Sequence, residues 1–314
     1  MISFDGLSKH YGATVAVDNL SADVQAGTVT GFLGPNGAGK SSAIRILLGL
    51  SDPTAGTALI NGRRYSEMRW PLREVGACLD GTSAHPHRSA RAHLRALAAS
   101  TQVGRTAVED TLDRVGLSDV ASHHVSTFSL GMTQRLELAA ALIGDPATLV
   151  LDEPLTGLDP DGVRWLRDLL HTLADQGGTV LISSHLLSEM AITAHRLLVL
   201  DRGHLLAHTS LSEFLSRNAA PTVIAHSSDQ PALSAALARA GAVVNLDINR
   251  ALLITGITTT QVGEIALTCG IAIHELTTTH TDLETAYFAA TGQLVDSPHA
   301  RAVGQRGGAP QVTA

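Results

Sequence analysis

Gly34-Pro35-Asn36-Gly37-Ala38-Gly39-Lys40-Ser41 fits the pattern G-x-x-x-x-G-K-S/T, and no other feature restricts the fold of this chain as tightly. The pattern works as a turn between a buried strand and a helix. Its glycines let successive backbone N–H groups face phosphate oxygens, and the helix N-terminus adds a positive end. The flanks supply that context: Thr28–Leu33 is an apolar run of strand length, and a helical pattern runs from Lys40 to Leu50. Lys40 would bring a compact charge to the β- and γ-phosphates of a nucleoside triphosphate, a role that arginine's planar fork does not fill. Of 22 basic residues only Lys9 and Lys40 are lysine, so a lysine kept here stands out. Ser41 would offer its hydroxyl to Mg2+. The glycines read GxxGxG and not GxGxxG, which excludes a dinucleotide-binding turn.

A chain of 314 residues has length for about two domains. Thr148–Leu151, Thr179–Ser183 and Arg196–Leu200 read as further buried strands, alternating with helical patterns at Thr133–Ile143, Asp161–Ala174 and Leu186–Ala194. This alternation predicts an α/β domain with a mostly parallel sheet over residues 1–215. Residues 88–127 break it with two helices, Ser89–Ser100 and Thr106–Val115, N-capped by Ser89 and Thr106, and so form a helical insert. Residues 221–291 read as strand Thr222–His226, helix Pro231–Ala240 and strands Val243–Asp247 and Leu252–Ile257. Helix Gln261–Cys269, strand Ile271–Leu276 and helix Asp282–Ala290 complete them. That order suggests a small ferredoxin-like α+β domain. Residues 292–314, with Gly304, Gly307, Gly308 and Pro310, are expected to form a disordered tail.

The apolar run Thr148–Leu151 ends in Asp152-Glu153. Strand alternation would put these carboxylates on opposite sides of the chain, one for the Mg2+ shell and one to polarise a water for attack on the γ-phosphate. A net charge of −7 disfavours a nucleic-acid partner. The longest stretch without Asp, Glu, Lys or Arg, Val24–Gly39, is rich in glycine, so no membrane-spanning helix is expected. The N-terminus lacks the charged and apolar regions of a signal peptide, and Cys78 and Cys269 make no framework, so a cytosolic chain is expected. His85, His87, His123 and His124 read as surface histidines, and Arg88, Arg91 and Arg95 as a solvated helix face.

Six segments in order resemble the ATP-binding subunits of ABC transporters over residues 1–210. Within them they are most similar to drug-resistance exporter ATPases of the daunorubicin and bacitracin type. They are Tyr11-Gly12 with Ala16-Val17-Asp18-Asn19, the phosphate loop, Ser129-Leu130-Gly131-Met132-Thr133-Gln134-Arg135, Leu151-Asp152-Glu153-Pro154, Gly157-Leu158-Asp159-Pro160 and Ser183-Ser184-His185. Leu283-Glu284-Thr285-Ala286-Tyr287-Phe288 resembles part of an accessory domain often attached to this group. The resemblance implies a P-loop ABC-type ATPase with ATP and Mg2+. Tyr11 would stack on adenine, and Gly34, Pro35, Asn36, Gly37, Ala38, Gly39, Lys40, Ser41 and Ser42 would hold the phosphates. Ser41 and Asp152 would hold the metal, Glu153 would be the general base, and His185 would contact the γ-phosphate and orient the attacking water. Asp159 would lie at a dimer contact. Ser129 and Gly131 would open a helix, with apolar face Leu136, Ala139, Ala140 and Ile143, that reaches the nucleotide of a second, identical subunit. The implied partners are that second subunit and a separate membrane permease, met at the inner face of the cell membrane.

Two departures matter. The usual LSGGQ reads Phe128-Ser129-Leu130-Gly131-Met132, and Met132 lacks the amide of glutamine, so altered ribose-side contacts are expected. Asp80 stands where the family carries a loop glutamine; it is shorter and donates no hydrogen bond when ionised, though it could hold a Mg2+-bound water. A soluble ABC-type ATPase acting on ribosomes or DNA is the competing reading. Such translation factors carry two ATPase domains and such repair proteins a long coiled coil, whereas this chain has one phosphate loop and no such insert.

Overall fold

Strands buried on both faces must be apolar throughout, and the apolar runs of this chain form such strands in a computed structural model. The described residues are 1–79, 84–101, 103–218, 222–247, 251–279 and 282–291. They divide into two compact units, Met1–Phe214 and Leu215–Ala314. The first opens with β1 (Ile2–Tyr11), β2 (Thr14–Val24), β3 (Thr28–Leu33), α1 (Lys40–Leu47) and β4 (Ala55–Ile60). Next come α2 (Pro71–Glu74), β5 (Val75–Cys78), α3 (Ala90–Thr101), α4 (Arg105–Arg114), α5 (Leu130–Leu142) and β6 (Thr148–Asp152). It ends with α6 (Pro160–Asp175), β7 (Thr179–Ser183), α7 (Leu187–Thr193), β8 (Arg196–Asp201), β9 (His204–Ser210) and α8 (Leu211–Asn218), which runs on past the boundary.

The six-stranded sheet has the order β5-β6-β7-β3-β8-β9, parallel except for β9. Every residue of β6 and β7 is buried. Helix α6 presents Leu166, Leu169, Leu170 and Ala174 as its buried stripe and packs on β3 and β7. A second, antiparallel sheet has β1 between β2 and β4. Its strands escape detection by alternation because β1 is irregular: the register shifts between Phe4 and Leu7, and Gly6 and Asn19 both have positive φ. Ile2, Phe4 and Leu7 are still buried, so the core is kept while the period is broken.

The insert differs in two details from the sequence expectation. Helix α4 begins after Gly104, which makes no side-chain cap bond, so Thr106 lies inside the helix and is not its N-cap. Ser89 does cap its helix, accepting the Ala92 N–H at 3.2 Å. Arg91 and Arg95 do not simply face solvent, since both pair with Glu109 of α4, at 2.9 and 3.5 Å. In the second unit β10 (Thr222–Ser227), α9 (Gln230–Arg239), β11 (Val243–Leu246), β12 (Leu252–Thr255), α10 (Thr259–Thr268) and β13 (Ile273–Thr279) make an antiparallel sheet of order β11-β12-β10-β13. This is the ferredoxin-like arrangement, and α11 (Leu283–Thr291) follows it. Its core includes Val223, Leu233, Leu237, Ile254 and Val262. The segment 292–314 lies outside the described residues.

Two histidines make stability depend on pH. His195 Nδ1 accepts the Val29 N–H at 3.0 Å, and its ring lies 5.1 Å from that of His171. His93 is buried on α3, and neither ring nitrogen finds a hydrogen-bond partner. Burial, and then His171, hold His195 below the ordinary value of 6.5 against the pull of Asp175. Burial also lowers His93, against Glu137 and with help from Arg88. The unfolded chain therefore takes up these protons at a higher pH than the folded chain. Their contribution is complete above about 6.5 and fades as the pH falls toward the depressed folded values. Melting temperatures should drop from about pH 7.5 to about pH 5.5, and His195→Gln should make the drop shallower; an unchanged slope in the variant would contradict this account.

Candidate nucleotide site

Parallel pairing places the functional segments on one edge. Phe32 of β3 and Asp152 of β6 both stand opposite Ser183 of β7. The phosphate loop, the acidic pair and the Ser183–His185 turn thus leave the sheet together, at the carboxyl ends of the strands, where open α/β sheets bind ligands.

The loop is held open by backbone that only glycine adopts comfortably. Gly37 has φ 82° and Gly39 φ 106°, and a Cβ on Gly39 would sit 2.1 Å from the Ala16 carbonyl oxygen. Helix α1 then starts with no acidic residue in its first turn and no side-chain cap, leaving its positive end uncompensated. Lys40 is only 5% exposed, and its Nζ donates to the Gly34 carbonyl at 2.6 Å and the Pro35 carbonyl at 3.4 Å. Burial lowers its pKa, and the charges of Glu153 and Asp152 oppose that shift. A buried ammonium satisfied mainly by carbonyl oxygens is poised to gain from an arriving polyanion.

The two acids are set by different means. Asp152 is buried at the end of β6 and accepts a hydrogen bond from the Ser183 hydroxyl. The strand stops there, so Glu153 is not placed by alternation as the sequence suggests. It sits at φ 52°, in the left-handed region, inside a turn closed by Thr156 N–H to the Glu153 carbonyl at 3.3 Å. For a residue with a Cβ that conformation costs about 1 kcal/mol or more. The Glu153 N–H donates to Ser183 Oγ at 3.0 Å, which helps hold the turn. His185 Nδ1 lies 2.7 Å from Glu153 Oε2, and the His185 N–H donates to the same oxygen at 3.3 Å. Because a carboxylate only accepts, the proton of that contact sits on Nδ1.

A cavity of about 350 Å³ is lined by Tyr11, Ala16, Asn36, Gly37, Ala38, Gly39, Lys40, Ser41, Ser42, Asp152 and Glu153, whereas Gly34, Pro35 and His185 do not line it and His185 reaches it through Glu153. Tyr11 is half exposed, so it is no core aromatic. The Ser41 hydroxyl and the Asp152 carboxylate are hard oxygen donors of the kind Mg2+ takes, usually beside water and substrate phosphates. Among the described residues no group of three or more His, Cys, Asp or Glu side chains could hold a metal ion by itself. That includes His85, His87 and His124, although their rings come within 5.8 and 6.5 Å of one another in sequence.

Ser129, Gly131 and Asp159 do not line this cavity. They make a second, separate cluster on the same unit. Ser129 caps α5 by accepting the Met132 N–H at 3.2 Å, so that helix starts at Leu130, before the periodic pattern from Thr133 and where the family resemblance opens it, and Met132 contributes its backbone there. Asp159 caps α6 through the Gly162 N–H at 2.9 Å and takes the Arg135 guanidinium at 3.3 Å. The Gly162 bond first, and then Arg135, hold the Asp159 carboxyl below its usual range. Gly131 approaches the Gly157 carbonyl so closely that an added Cβ would lie 3.1 Å from it. Of the expected apolar face of α5, Leu136, Ala139 and Ile143 are buried and Ala140 is partly so, but Glu137, Leu138, Ala141 and Leu142 are buried too. Asp80 lies outside the described residues.

Ser183 is the functional residue hardest to see beforehand. It is fully buried and bonds to both acids, yet the sequence marks it only as the end of an apolar strand that opens the Ser183-Ser184-His185 segment, with no role of its own. Ser183→Ala should leave the Glu153 N–H unsatisfied and destabilise the chain by about 1–3 kcal/mol. It should also lower turnover more than nucleotide affinity. Denaturant unfolding and steady-state assays would check this; an equal fall in both kinetic parameters would place the defect elsewhere.

A family described as ABC transporter matches residues 17–156, and a domain family of unknown function matches residues 221–284. The chain is 37% identical to a lantibiotic transport ATP-binding protein of Streptococcus pyogenes over 190 residues, covering 60% of this chain and 82% of that protein. It is 38% identical to a bacitracin transport ATP-binding protein of Enterococcus faecalis over 221 residues, covering 69% and 72%. The solved structure of an ATP-binding subunit of an ABC transporter superposes with a TM-score of 0.64 at 25% identity, covering 69% of this chain and 92% of that one. With the phosphate loop, acidic strand end and histidine turn on one sheet edge, these likenesses leave one assignment: the chain belongs to the ATP-hydrolysing, ATP-binding subunits of ABC transporters.

Proposed function

We propose that this chain powers export of an antibiotic-like or other hydrophobic compound through a separate membrane permease, by closing two copies of itself on two MgATP. The observation that carries the ATPase chemistry is the Glu153–His185 contact at 2.7 Å beside the Lys40 cavity. Glu153 takes the proton of the attacking water, and His185 holds that water and the γ-phosphate in line. Lys40 and the N-terminus of α1 bind the phosphates and take up charge that develops on them. Ser41 and Asp152 would hold Mg2+, which would supply positive charge to offset the negative charge of the phosphates.

The division of the motifs between two surfaces supports the pairing of two copies. Ser129, Gly131 and Asp159 lie apart from the cavity of their own chain, so they are available to complete the cavity of another. The N-terminus of α5, capped by Ser129, offers backbone donors suited to a γ-phosphate. Among the described residues no helix is long and apolar enough to cross a membrane. The lantibiotic and bacitracin relatives support antibiotic-like cargo and a place at the inner face of the cell membrane.

Glu153→Gln should keep ATP binding, lower kcat by about 100-fold or more, and accumulate an ATP-bound dimer on size exclusion. Hydrolysis at the parent rate would remove Glu153 as base. Lys40→Ala should abolish measurable ATP binding. Detergent extraction followed by pull-down tests the transport role: a multispanning protein should co-purify in near-equal amount, and recovery with ribosomes or nucleic acid instead would overturn it.

A further inference from the structure

Lys9 is the only lysine besides the one in the phosphate loop, in a chain that otherwise uses arginine twenty times. It lies outside every motif described above, and its surroundings give it a task. The Lys9 Nζ donates to the Asp52 carbonyl at 2.6 Å and lies 4.9 Å from the centre of the Tyr11 ring. The β1–β2 register shifts on either side of Lys9, between Leu7 and Lys9 and again between Lys9 and His10. Lys9 and Tyr11, two residues apart in β1, meet at the turn that follows α1. The same turn is fastened to β1 by Thr54 N–H to the Ser8 carbonyl at 2.8 Å and by His10 N–H to Thr54 Oγ1 at 2.9 Å.

The neighbouring Ser51 hydroxyl, in that turn, and then that of Ser42, on α1, draw the Tyr11 phenol below its ordinary pKa of 10. An aromatic ring that is 50% exposed thus sits under an ammonium, while it lines the nucleotide cavity that Lys9 does not line. A ring so restrained loses little freedom when a flat ligand stacks on it. A cation at a ring is also attracted to its π cloud, most strongly when compact and held still.

We propose that Lys9 is a positioning residue for base recognition: tethered to Asp52, it fixes the Tyr11 ring as a platform for the purine of ATP. The proposal rests on the reading of Tyr11 as the stacking residue. Its reach is limited to the base, because the phosphates are bound by the loop that carries Lys40.

The test compares MgATP with magnesium tripolyphosphate, which lacks base and ribose, in calorimetric titrations of the full chain. Lys9→Met should weaken ATP binding about three- to five-fold and leave tripolyphosphate unchanged. Lys9→Arg, which keeps the cation, should recover most of the loss. Tyr11→Ala should weaken ATP at least as much, and adding Lys9→Met to it should have no further effect. Parent-like ATP affinity in Lys9→Met would overturn the proposal. So would equal weakening of both ligands, which marks a general charge or folding effect, or a full additional loss on the Tyr11→Ala background. ATP binding that ignores Tyr11→Ala would instead remove the stacking reading itself.

Discussion

The parallel pairing of β3, β6 and β7 is the constraint on which the nucleotide edge depends. Each strand is buried along nearly its whole length, so its register is fixed by apolar packing on both faces and a slip of one residue would turn every side chain over. That register sets Asp152 opposite Ser183 and lets one buried hydroxyl bond the carboxylate of Asp152 and the backbone of Glu153. From there the left-handed turn at Glu153 swings its carboxylate to His185. The proposed chemistry is therefore attached to strands buried on both faces, while the residue in the left-handed conformation is the one proposed as base.

Electrostatics follow from that placement. Lys40 is buried next to two carboxylates and borrows carbonyl oxygens as partners, a balance that a triphosphate would improve. The second cluster is organised differently. Ser129 and Asp159 are both helix caps, fixed by bonds to the first turns of α5 and α6, and Arg135 ties Asp159 to α5 and to the Val115 carbonyl after α4. The helical insert, α5 and the start of α6 are thus joined by one guanidinium.

Much of this was legible in the sequence, for stateable reasons. The phosphate loop needs particular residues at particular steps, and the doubly buried strands are too apolar to be read as anything else. The antiparallel sheet of β1, β2 and β4 was hidden because bulges and positive-φ residues break its alternation. Strand geometry misplaced Glu153 because the strand ends one residue earlier. Thr106 looked like a cap, yet Gly104 holds that position without a side-chain bond. Ser183 and Lys9 act through tertiary contacts, to Asp152 and Glu153 and to Asp52 and Tyr11, which no local pattern encodes. The roles of Ser129 and Asp159 came from family resemblance alone, since their partner surface is not on their own chain's cavity.

The central claim is that one chain's Lys40 cavity is completed by another chain's Ser129. Mixing two inactive variants tests it most directly. A Lys40→Ala chain lacks the cavity but keeps the helix cap, and a Ser129→Arg chain keeps the cavity but blocks the cap. Combined, they can form one intact composite site per heterodimer, so ATP turnover should reappear on mixing although each variant alone is inactive. Turnover at the parent rate by Ser129→Arg alone, or a mixture as inactive as its components, would contradict a site shared between two chains.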